Sequence, residues 1–142
     1  MNKLSLFDLI RMSERVSNKM TLAWTRQFPH EIGVSEMLIL SALEERGPEK
    51  SSVLADMHGY TKAAITNNAN KLVKVGAVER VYDSTDRRIV RLRITNTGKK
   101  MLHDAKKTGT LLRERLFASL TKQERAMYYQ IQQKILNTWE DE

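Results

Sequence analysis

Hydrophobic residues recur every three or four positions through almost all of the 142 residues, and this helical period most constrains how the chain folds. Only two prolines, Pro29 and Pro48, interrupt it. The period changes to alternation in two short runs, residues 78–82 and 89–94, which predict two β-strands. The sequence therefore predicts a mainly α-helical protein with one small β-hairpin.

Glycines, prolines and polar capping residues divide the helical pattern into six segments. They are a helix over 4–28, one from Ser35 as N-cap to Gly47, one over 51–58, one from the Thr61 cap through Val75, one from Thr95, and one from a Thr121 capping box. A tight turn at Gly59 joins the third and fourth helices, which is typical of a helix-turn-helix. Residues 34–94 therefore predict a compact helical module with a hairpin wing, flanked by terminal helices in residues 1–33 and 95–142.

Positive charge is concentrated in the middle of the chain. Lys and Arg number 24 against 17 Asp and Glu, a formal net charge of +7. From Thr61 to Arg93 there are eight basic and three acidic residues. Such a segment is typical of phosphate binding, and a solvated basic surface is the plain alternative. The chain has no cysteine, which excludes disulfides, thiolate metal sites and cysteine nucleophiles.

The segment from Lys62 to Val75 has an unusual polar face. Its apolar residues occupy one side of the predicted helix, and short polar side chains occupy the other. An asparagine offers a donor and an acceptor together, as an adenine edge in the major groove requires. Asparagine is a poor helix former, so Asn67, Asn68 and Asn70 cost stability that an ordinary solvated face would avoid. The pattern favours a DNA-reading helix over a merely exposed face.

The loop between the predicted strands carries Arg87 and Arg88 in sequence. Guanidinium groups are attracted to the negative potential of a narrow A·T-rich minor groove. We expect Asp86 to orient one arginine and leave the other for DNA, whereas a solvated turn with incidental charges is the structural alternative. The residues that we expect to contact DNA are Ser51, Thr61, Lys62, Ala63, Thr66, Asn67, Asn70, Lys71, Asp86, Arg87 and Arg88.

Three short motifs follow one another in the middle of the chain. They are Gly76-Ala77-Val78-Glu79-Arg80, the loop Asp83-x-x-Asp86-Arg87-Arg88, and Ile94-Thr95-x-x-Gly98. With these motifs, the run from Thr61 through Leu102 resembles the winged helix-turn-helix core of the MarR (multiple antibiotic resistance regulator) family. The resemblance implies one MarR-like domain over residues 1–142, a homodimer with intertwined end helices, the helix from Lys62 in the major groove, and the wing at the minor groove.

The same resemblance implies a small, often aromatic effector between the dimerisation helices and the winged module. The residues that we expect to line its pocket are Met20, Trp24, Phe28, Met37 and Met101. A stripe of Met and aromatic residues at helical spacing is also typical of a hydrophobic core, so a core role is the alternative.

The terminal helices carry more large apolar residues than one small module needs. These residues are Leu4, Phe7, Ile10, Leu112, Leu116, Phe117, Leu120, Tyr128, Ile131, Ile135 and Trp139. A two-fold symmetric partner would cover them and set two recognition helices about 34 Å apart, which predicts an inverted-repeat operator. Alternatively, the stripes fold back over the monomer's own module.

The sequence therefore predicts a homodimeric, sequence-specific regulator that binds double-stranded DNA, with repression as the expected action. A winged-helix module that docks another protein without specific DNA binding is the alternative. We expect no enzyme, because no catalytic triad, nucleophile elbow or phosphate loop is present in the sequence. We expect no cofactor and no metal, since His30, His58 and His103 lack ligand spacing. The charged N-terminal segment predicts neither a signal peptide nor a membrane span, and hence a cytoplasmic protein.

Overall fold

The structure is a computed structural model that describes residues 3–140, with side chains described as far as Thr138. Six helices and three strands follow in order. They are α1 (Leu6–Gln27), α2 (Val34–Arg46), β1 (Glu49–Lys50), α3 (Ser51–His58), α4 (Lys62–Lys74), β2 (Val78–Tyr82), β3 (Val90–Ile94), α5 (Asn96–Phe117) and α6 (Lys122–Glu140). Contacts divide the chain into two units, one extending to Thr108 and one beginning at Gly109. The mainly helical fold with a small wing is confirmed.

The wing belongs to a sheet of three strands rather than two. β3 lies between β1 and β2, and both pairings are antiparallel. The sequence prediction missed β1, in which Glu49 pairs with Leu92 and Lys50 pairs with Arg91. A two-residue strand is too short to show alternation, and it forms because β3 offers a free edge beside it.

The start of α2 differs from the prediction by two residues at the cap. Gly33, rather than Ser35, is the N-cap, and the helix begins at Val34. The Glu36 carboxylate reaches back and accepts a hydrogen bond from the Gly33 backbone N–H at 3.1 Å. This contact satisfies a backbone donor that the first turn of a helix leaves without an intrahelical partner. The expected end is confirmed, because Gly47 follows Arg46 with a φ of 85°.

The hydrophobic core lies in the first unit, between α2, the helix-turn-helix pair and the sheet. Ile39, Leu40 and Leu43 of α2 are fully buried, so this helix is central to the core. The other contributors include residues of α3, α4 and the sheet, namely Leu54, Ile65, Leu72, Val78 and Leu92. This core positions α4 by burying one side of it and leaving the other side exposed.

The motif Ile94-Thr95-x-x-Gly98 joins the wing to α5. Thr95 Oγ1 donates to the Gly76 carbonyl at 2.5 Å and accepts from the Gly98 N–H at 3.1 Å, so the threonine side chain links the α4–β2 turn to the first turn of α5. A Cβ on Gly98 would lie 2.1 Å from the Ala77 carbonyl oxygen. Only glycine fits this close approach of the two backbones.

The helices near the two ends of the chain are well capped but sparsely buried. α1 begins with a capping box between Ser5 and Asp8, and α6 follows the predicted box between Thr121 and Glu124. No residue of α1 is buried, and every described side chain of α6 is exposed. Within residues 3–140, no helix has both the length and the apolar composition that crossing a membrane requires.

Candidate nucleic-acid interface

The outward face of α4 is the main candidate surface. Ile65, Ala69 and Leu72 face the core, which fixes the rotation of the helix. The opposite side exposes the predicted residues Lys62, Ala63, Thr66, Asn67, Asn70 and Lys71. Thr61, the N-cap, accepts a hydrogen bond from the Ala64 N–H at 3.1 Å. Its side chain therefore caps the helix that carries the surface.

The polar side chains on α4 differ in how they are held. Thr66 Oγ1 donates to the Lys62 carbonyl at 2.8 Å, so its hydroxyl proton is engaged while its oxygen can still accept a hydrogen bond. Within residues 3–140, the side chains of Lys62 and Asn67 make no hydrogen bond or ion pair. Ser51 lies at the first position of α3 and is half-buried, so it is less accessible than the α4 residues.

Lys71 forms an ion pair within the protein while its side chain stays 49% exposed. Its Nζ lies 3.4 Å from Glu36 Oε1, and the Glu36 side chain is only 9% exposed. The same carboxylate holds the Gly33 N–H at the start of α2. Glu36 therefore connects the N-terminus of α2 to the last turns of α4. The sequence prediction placed Lys71 at DNA and did not include Glu36.

Asn70 is also engaged by a neighbour that the sequence prediction did not include. Arg80 Nη2 on β2 donates to Asn70 Oδ1 at 2.6 Å, and both side chains are exposed. In the antiparallel register Arg80 lies opposite Leu92, which is buried. Residues opposite one another share a face of the sheet, so Arg80 lies on the face that carries this core residue. Pairing the two alternating runs as an antiparallel hairpin would have placed Arg80 opposite Leu92, and this is the sequence signal that could have identified Arg80.

The tip of the wing separates its two arginines. Arg88 donates through Nε and Nη2 to the two oxygens of Asp86, at 3.1 and 3.2 Å, and its backbone N–H bonds the same carboxylate. These bonds lower the pKa of Asp86 below its usual value. Arg87 is exposed and has no hydrogen bond or ion pair in the part of the chain that the structure describes. Arg87 is therefore the arginine left available.

Asp83 braces the wing from inside the loop. It accepts hydrogen bonds from Thr85 Oγ1 at 2.7 Å, from the backbone N–H groups of Thr85 and Asp86, and from Arg91 Nη1 at 3.0 Å. Because the hydroxyl of Thr85, the amides and the guanidinium all favour the charged form, they hold the pKa of Asp83 well below its usual range. On the strands, Arg93 pairs with Glu79 at 2.6 Å.

Four of the five residues expected to line an effector pocket lie in or against the hydrophobic core. Phe28, Met37 and Met101 are buried, at 6%, 6% and 8% exposure, and Trp24 packs against the same cluster. The rings of Trp24 and Phe28 are 5.0 Å apart. Met20 is half-buried. Trp24 Nε1 is a buried donor without a hydrogen-bond partner among the described residues.

The predicted dimer residues fall into an exposed and a covered set. Leu4, Phe7, Ile10, Tyr128, Ile131 and Ile135 are exposed. Leu116, Phe117 and Leu120 are half-buried. Leu112 is only 6% exposed in the single chain, so its side chain needs no second subunit to cover it. The Trp139 side chain lies outside the described residues. The prediction also missed exposed neighbours on the same helices, including Leu6, Leu9, Met127, Tyr129 and Leu136.

The three histidines have separate surroundings. His30 Nε2 lies 2.8 Å from Asp104 Oδ2 and lowers the pKa of that carboxyl, while the ring of His58 lies 5.5 Å from that of Tyr60. Across residues 3–140, no three His, Asp or Glu side chains are grouped so that they could hold a metal ion. The candidate binding surface is the one formed by the exposed face of α4, Arg80 and the wing tip.

Comparison with known proteins identifies the part of the chain that carries this surface. Residues 32–90 match the model of the MarR family. This part of the chain is therefore similar to the MarR family. The similar segment runs from just before α2 to the start of β3, and so contains the helix-turn-helix pair and the wing tip. MarR-family members are transcriptional regulators and not enzymes, and the chain has the fold of such a regulator.

Individual relatives agree with this family and fold. The uncharacterized HTH-type transcriptional regulator YpoP of Bacillus subtilis (strain 168) is 28% identical over 97 residues, which cover 68% of this chain and 69% of that protein. A mutant MarR from E. coli, solved with operator DNA, has a TM-score of 0.82 at 23% identity, covering 94% of this chain and 99% of the other. PcaV from Streptomyces coelicolor, solved with its natural ligand, has a TM-score of 0.84 at 18% identity, covering 96% and 98%.

Proposed function

We propose that this protein is a sequence-specific regulator that binds double-stranded DNA through α4 and the wing. The observation that carries the proposal is the exposed side of α4, where short polar side chains rather than long ion-paired ones face away from the core. Short hydrogen-bonding side chains at one helix face can reach base edges in a major groove. The similar fold of a MarR mutant solved with operator DNA supports the same use.

The number of unpaired cations near the α4 and wing surface, rather than the net charge of the chain, supports DNA as the partner. Arg88, Arg91 and Arg93 are each paired with a carboxylate of the hairpin. The cations near the surface that have no ion pair among the described residues are Lys62, Lys74, Arg80 and Arg87. These are the groups that would neutralise phosphates, and their number predicts a marked but moderate salt dependence in each subunit.

Selection of duplexes from a random pool with the full chain tests this function. We expect an enriched inverted repeat, bound with an affinity that falls linearly with the logarithm of salt concentration. A pool that remains unenriched, with a flat salt response, would contradict the proposal and favour a protein-docking module instead.

Arg87→Ala and Arg88→Ala give a matched pair in the wing. Both remove one arginine from adjacent positions, but only Arg88 is held by Asp86. We expect Arg87→Ala to weaken binding and to reduce the salt slope by about 1, whereas Arg88→Ala weakens it less. Fluorescence anisotropy at several salt concentrations measures both. Equal losses would show that the pairing with Asp86 does not decide which arginine contacts DNA.

We propose that the DNA-binding form is a homodimer acting as a repressor at an inverted repeat, in the cytoplasm where the chromosomal DNA is. The support is the exposed apolar stripe of α1, with Phe7 67% and Ile10 59% exposed, and the exposed apolar residues of α6. Large apolar surfaces of this kind mark sites of association. Sedimentation measures the mass, and a reporter gene placed behind the selected duplex measures repression. A single-chain mass would contradict the dimer.

We propose that a small aromatic acid controls the regulator by binding near Trp24. The support is the unpartnered Trp24 Nε1, since a buried donor without an acceptor is costly and a ligand oxygen would satisfy it. The similar fold of PcaV, solved with its natural ligand, is consistent with a small-molecule effector. A thermal-shift screen of aromatic carboxylic acids tests this, because a ligand that prefers the folded state raises the Tm. Trp24→Phe keeps the ring, removes the donor and should weaken the shift; an unchanged shift would contradict the site.

A further inference from the structure

The contact between Arg80 and Asn70 determines which way the asparagine amide faces. Arg80 Nη2 lies 2.6 Å from Asn70 Oδ1, joining β2 of the wing to the exposed face of α4. A guanidinium carries five donors and no acceptor, so only the oxygen of an amide can face it. The orientation of the Asn70 amide therefore follows from chemistry, and its Nδ2 group points away from Arg80.

This orientation changes what Asn70 offers to a base. The bidentate contact between asparagine and adenine uses both amide atoms, with Oδ1 accepting from N6 and Nδ2 donating to N7. Arg80 occupies one of the two lone pairs of Oδ1, and Nδ2 is the end of the amide that has no partner among the described residues, so Nδ2 is the group that we expect to contact a base. A guanine edge presents two neighbouring acceptors, O6 and N7, and no donor in that position, whereas adenine places its N6 amino group there.

We propose that Arg80 is a specificity-determining residue that makes Asn70 a donor to guanine instead of a reader of adenine. The proposal rests on the proposed DNA-binding function and replaces the adenine contact expected from the sequence with a guanine contact. Arg80 acts here by positioning Asn70, and the base is read by the asparagine. Asn70 Nδ2 and adenine N6 are both hydrogen-bond donors, so placing them together is unfavourable and adenine is bound less well than guanine.

The test begins with the duplex enriched from the random pool. Each guanine of a half-site is replaced in turn by adenine and by 7-deazaguanine, which lacks the N7 acceptor, and affinity is measured by anisotropy for wild type and for Asn70→Ala. We expect one guanine per half-site at which either replacement weakens wild-type binding at least about fivefold. At that guanine, Asn70→Ala should bind all three duplexes within about twofold, because the donor is gone.

Arg80→Ala and Arg93→Ala then separate positioning from charge. Both variants remove one arginine from the hairpin, but Arg93 is paired with Glu79 and does not touch Asn70. Freed from Arg80, the Asn70 amide can turn and pair with adenine through both atoms. We therefore expect Arg80→Ala to lower the preference for guanine over adenine at this position at least about fivefold, and Arg93→Ala to leave the preference unchanged. The preference is the ratio of the affinities for the guanine and adenine duplexes. A loss of phosphate contacts weakens both equally and leaves this ratio unchanged.

The possible failures are distinguishable. If no duplex is bound, the proposed function is wrong and this inference falls with it. If a duplex is bound but no guanine depends on Asn70, or Arg80→Ala leaves the preference between guanine and adenine unchanged, only the inference about Arg80 is overturned. A thermal unfolding curve for each variant, with a Tm near that of wild type, shows that the folded protein is being compared.

Discussion

Helices α2 and α1 use their apolar residues in opposite ways. α2 buries six of its 13 residues in the single chain, whereas α1 is 22 residues long and buries none. An isolated helix is only marginally stable in water, and most helical stability in proteins comes from packing an apolar face. The difference shows that α2 is stabilised by packing within its own chain, while the apolar side chains of α1 remain exposed there.

The largest effect that separates the two kinds of helix is expected in the core. Leu40 of α2 is 0% exposed, so Leu40→Ala should lower the free energy of unfolding by about 2 to 5 kcal/mol through lost burial and the cavity left behind. Urea unfolding at two protein concentrations measures it. Because Leu40 is covered within its own chain, this loss should be the same at both concentrations.

Leu38→Ala is the matched control, since Leu38 lies on the same helix and is 45% exposed. The expected loss is below about 1 kcal/mol, because less apolar area is returned to water. Equal losses for Leu38 and Leu40 would mean that the core does not lie where the burial of α2 indicates.

The next effect concerns the uncovered face of α1. Phe7→Glu combined with Ile10→Glu places two carboxylates where the proposed partner would bury apolar rings and chains. Burial of one large side chain contributes about 1.5 to 3 kcal/mol, so the dimer dissociation constant should rise at least about 100-fold. Sedimentation equilibrium measures the change. The control is Lys19→Glu, which puts a carboxylate on the other side of the helix by its 3.6-residue period and should leave the mass unchanged.

The elements that could be predicted from the sequence are those set by local rules. The helix ends at Gly47 and Gly59, the Thr121 capping box, and the wing strands follow from periodicity and from the chemistry of single residues. The pairing of one wing arginine with Asp86 is also predictable from the sequence, although only the structure shows that Arg88 is the paired one.

What could not be predicted depends on contacts between distant residues. Glu36 and Lys71 are 35 positions apart, so no periodicity signals that the lysine expected at DNA is held by a buried carboxylate. The two-residue strand β1 exists because β3 offers an edge to it. Arg80 was overlooked because its partner lies on another element, at the far side of a turn.

A smaller effect is expected at the link between α2 and α4. Glu36→Gln keeps an oxygen for the Gly33 N–H but removes the charge that faces Lys71. Because the Lys71 side chain is 49% exposed, solvent screens the pair, and we expect a loss of about 1 to 2 kcal/mol in the free energy of unfolding. Urea unfolding measures it, with the exposed Glu44→Gln on the same helix as control. A loss as large as that of Leu40→Ala would contradict the expectation that solvent screens the ion pair between Glu36 and Lys71.

The smallest effect is expected at the tip of the wing, where Asp83 is held by polar and charged groups. The pKa of Asp83 is lowered in the folded protein by Thr85, the loop amides and Arg91. A depressed carboxyl pKa stabilises the fold at any pH above the unfolded value of about 3.9, and the contribution is lost as the pH falls further through the folded pKa. Asp83→Asn should therefore lower the urea midpoint at pH 6 and reduce its fall between pH 4 and pH 2.5.

Asp56→Asn is the control for this pH dependence, because Asp56 is an exposed carboxylate with no hydrogen bond or ion pair among the described side chains. It should change neither the midpoint at pH 6 nor the slope below pH 4. Since Asp83 contacts only residues of its own hairpin, its effect should also be independent of protein concentration. If the acid sensitivity of Asp83→Asn instead changed with concentration, the wing would have to be coupled to assembly, and the contrast between elements packed within one chain and helices with exposed apolar faces would not extend to the wing.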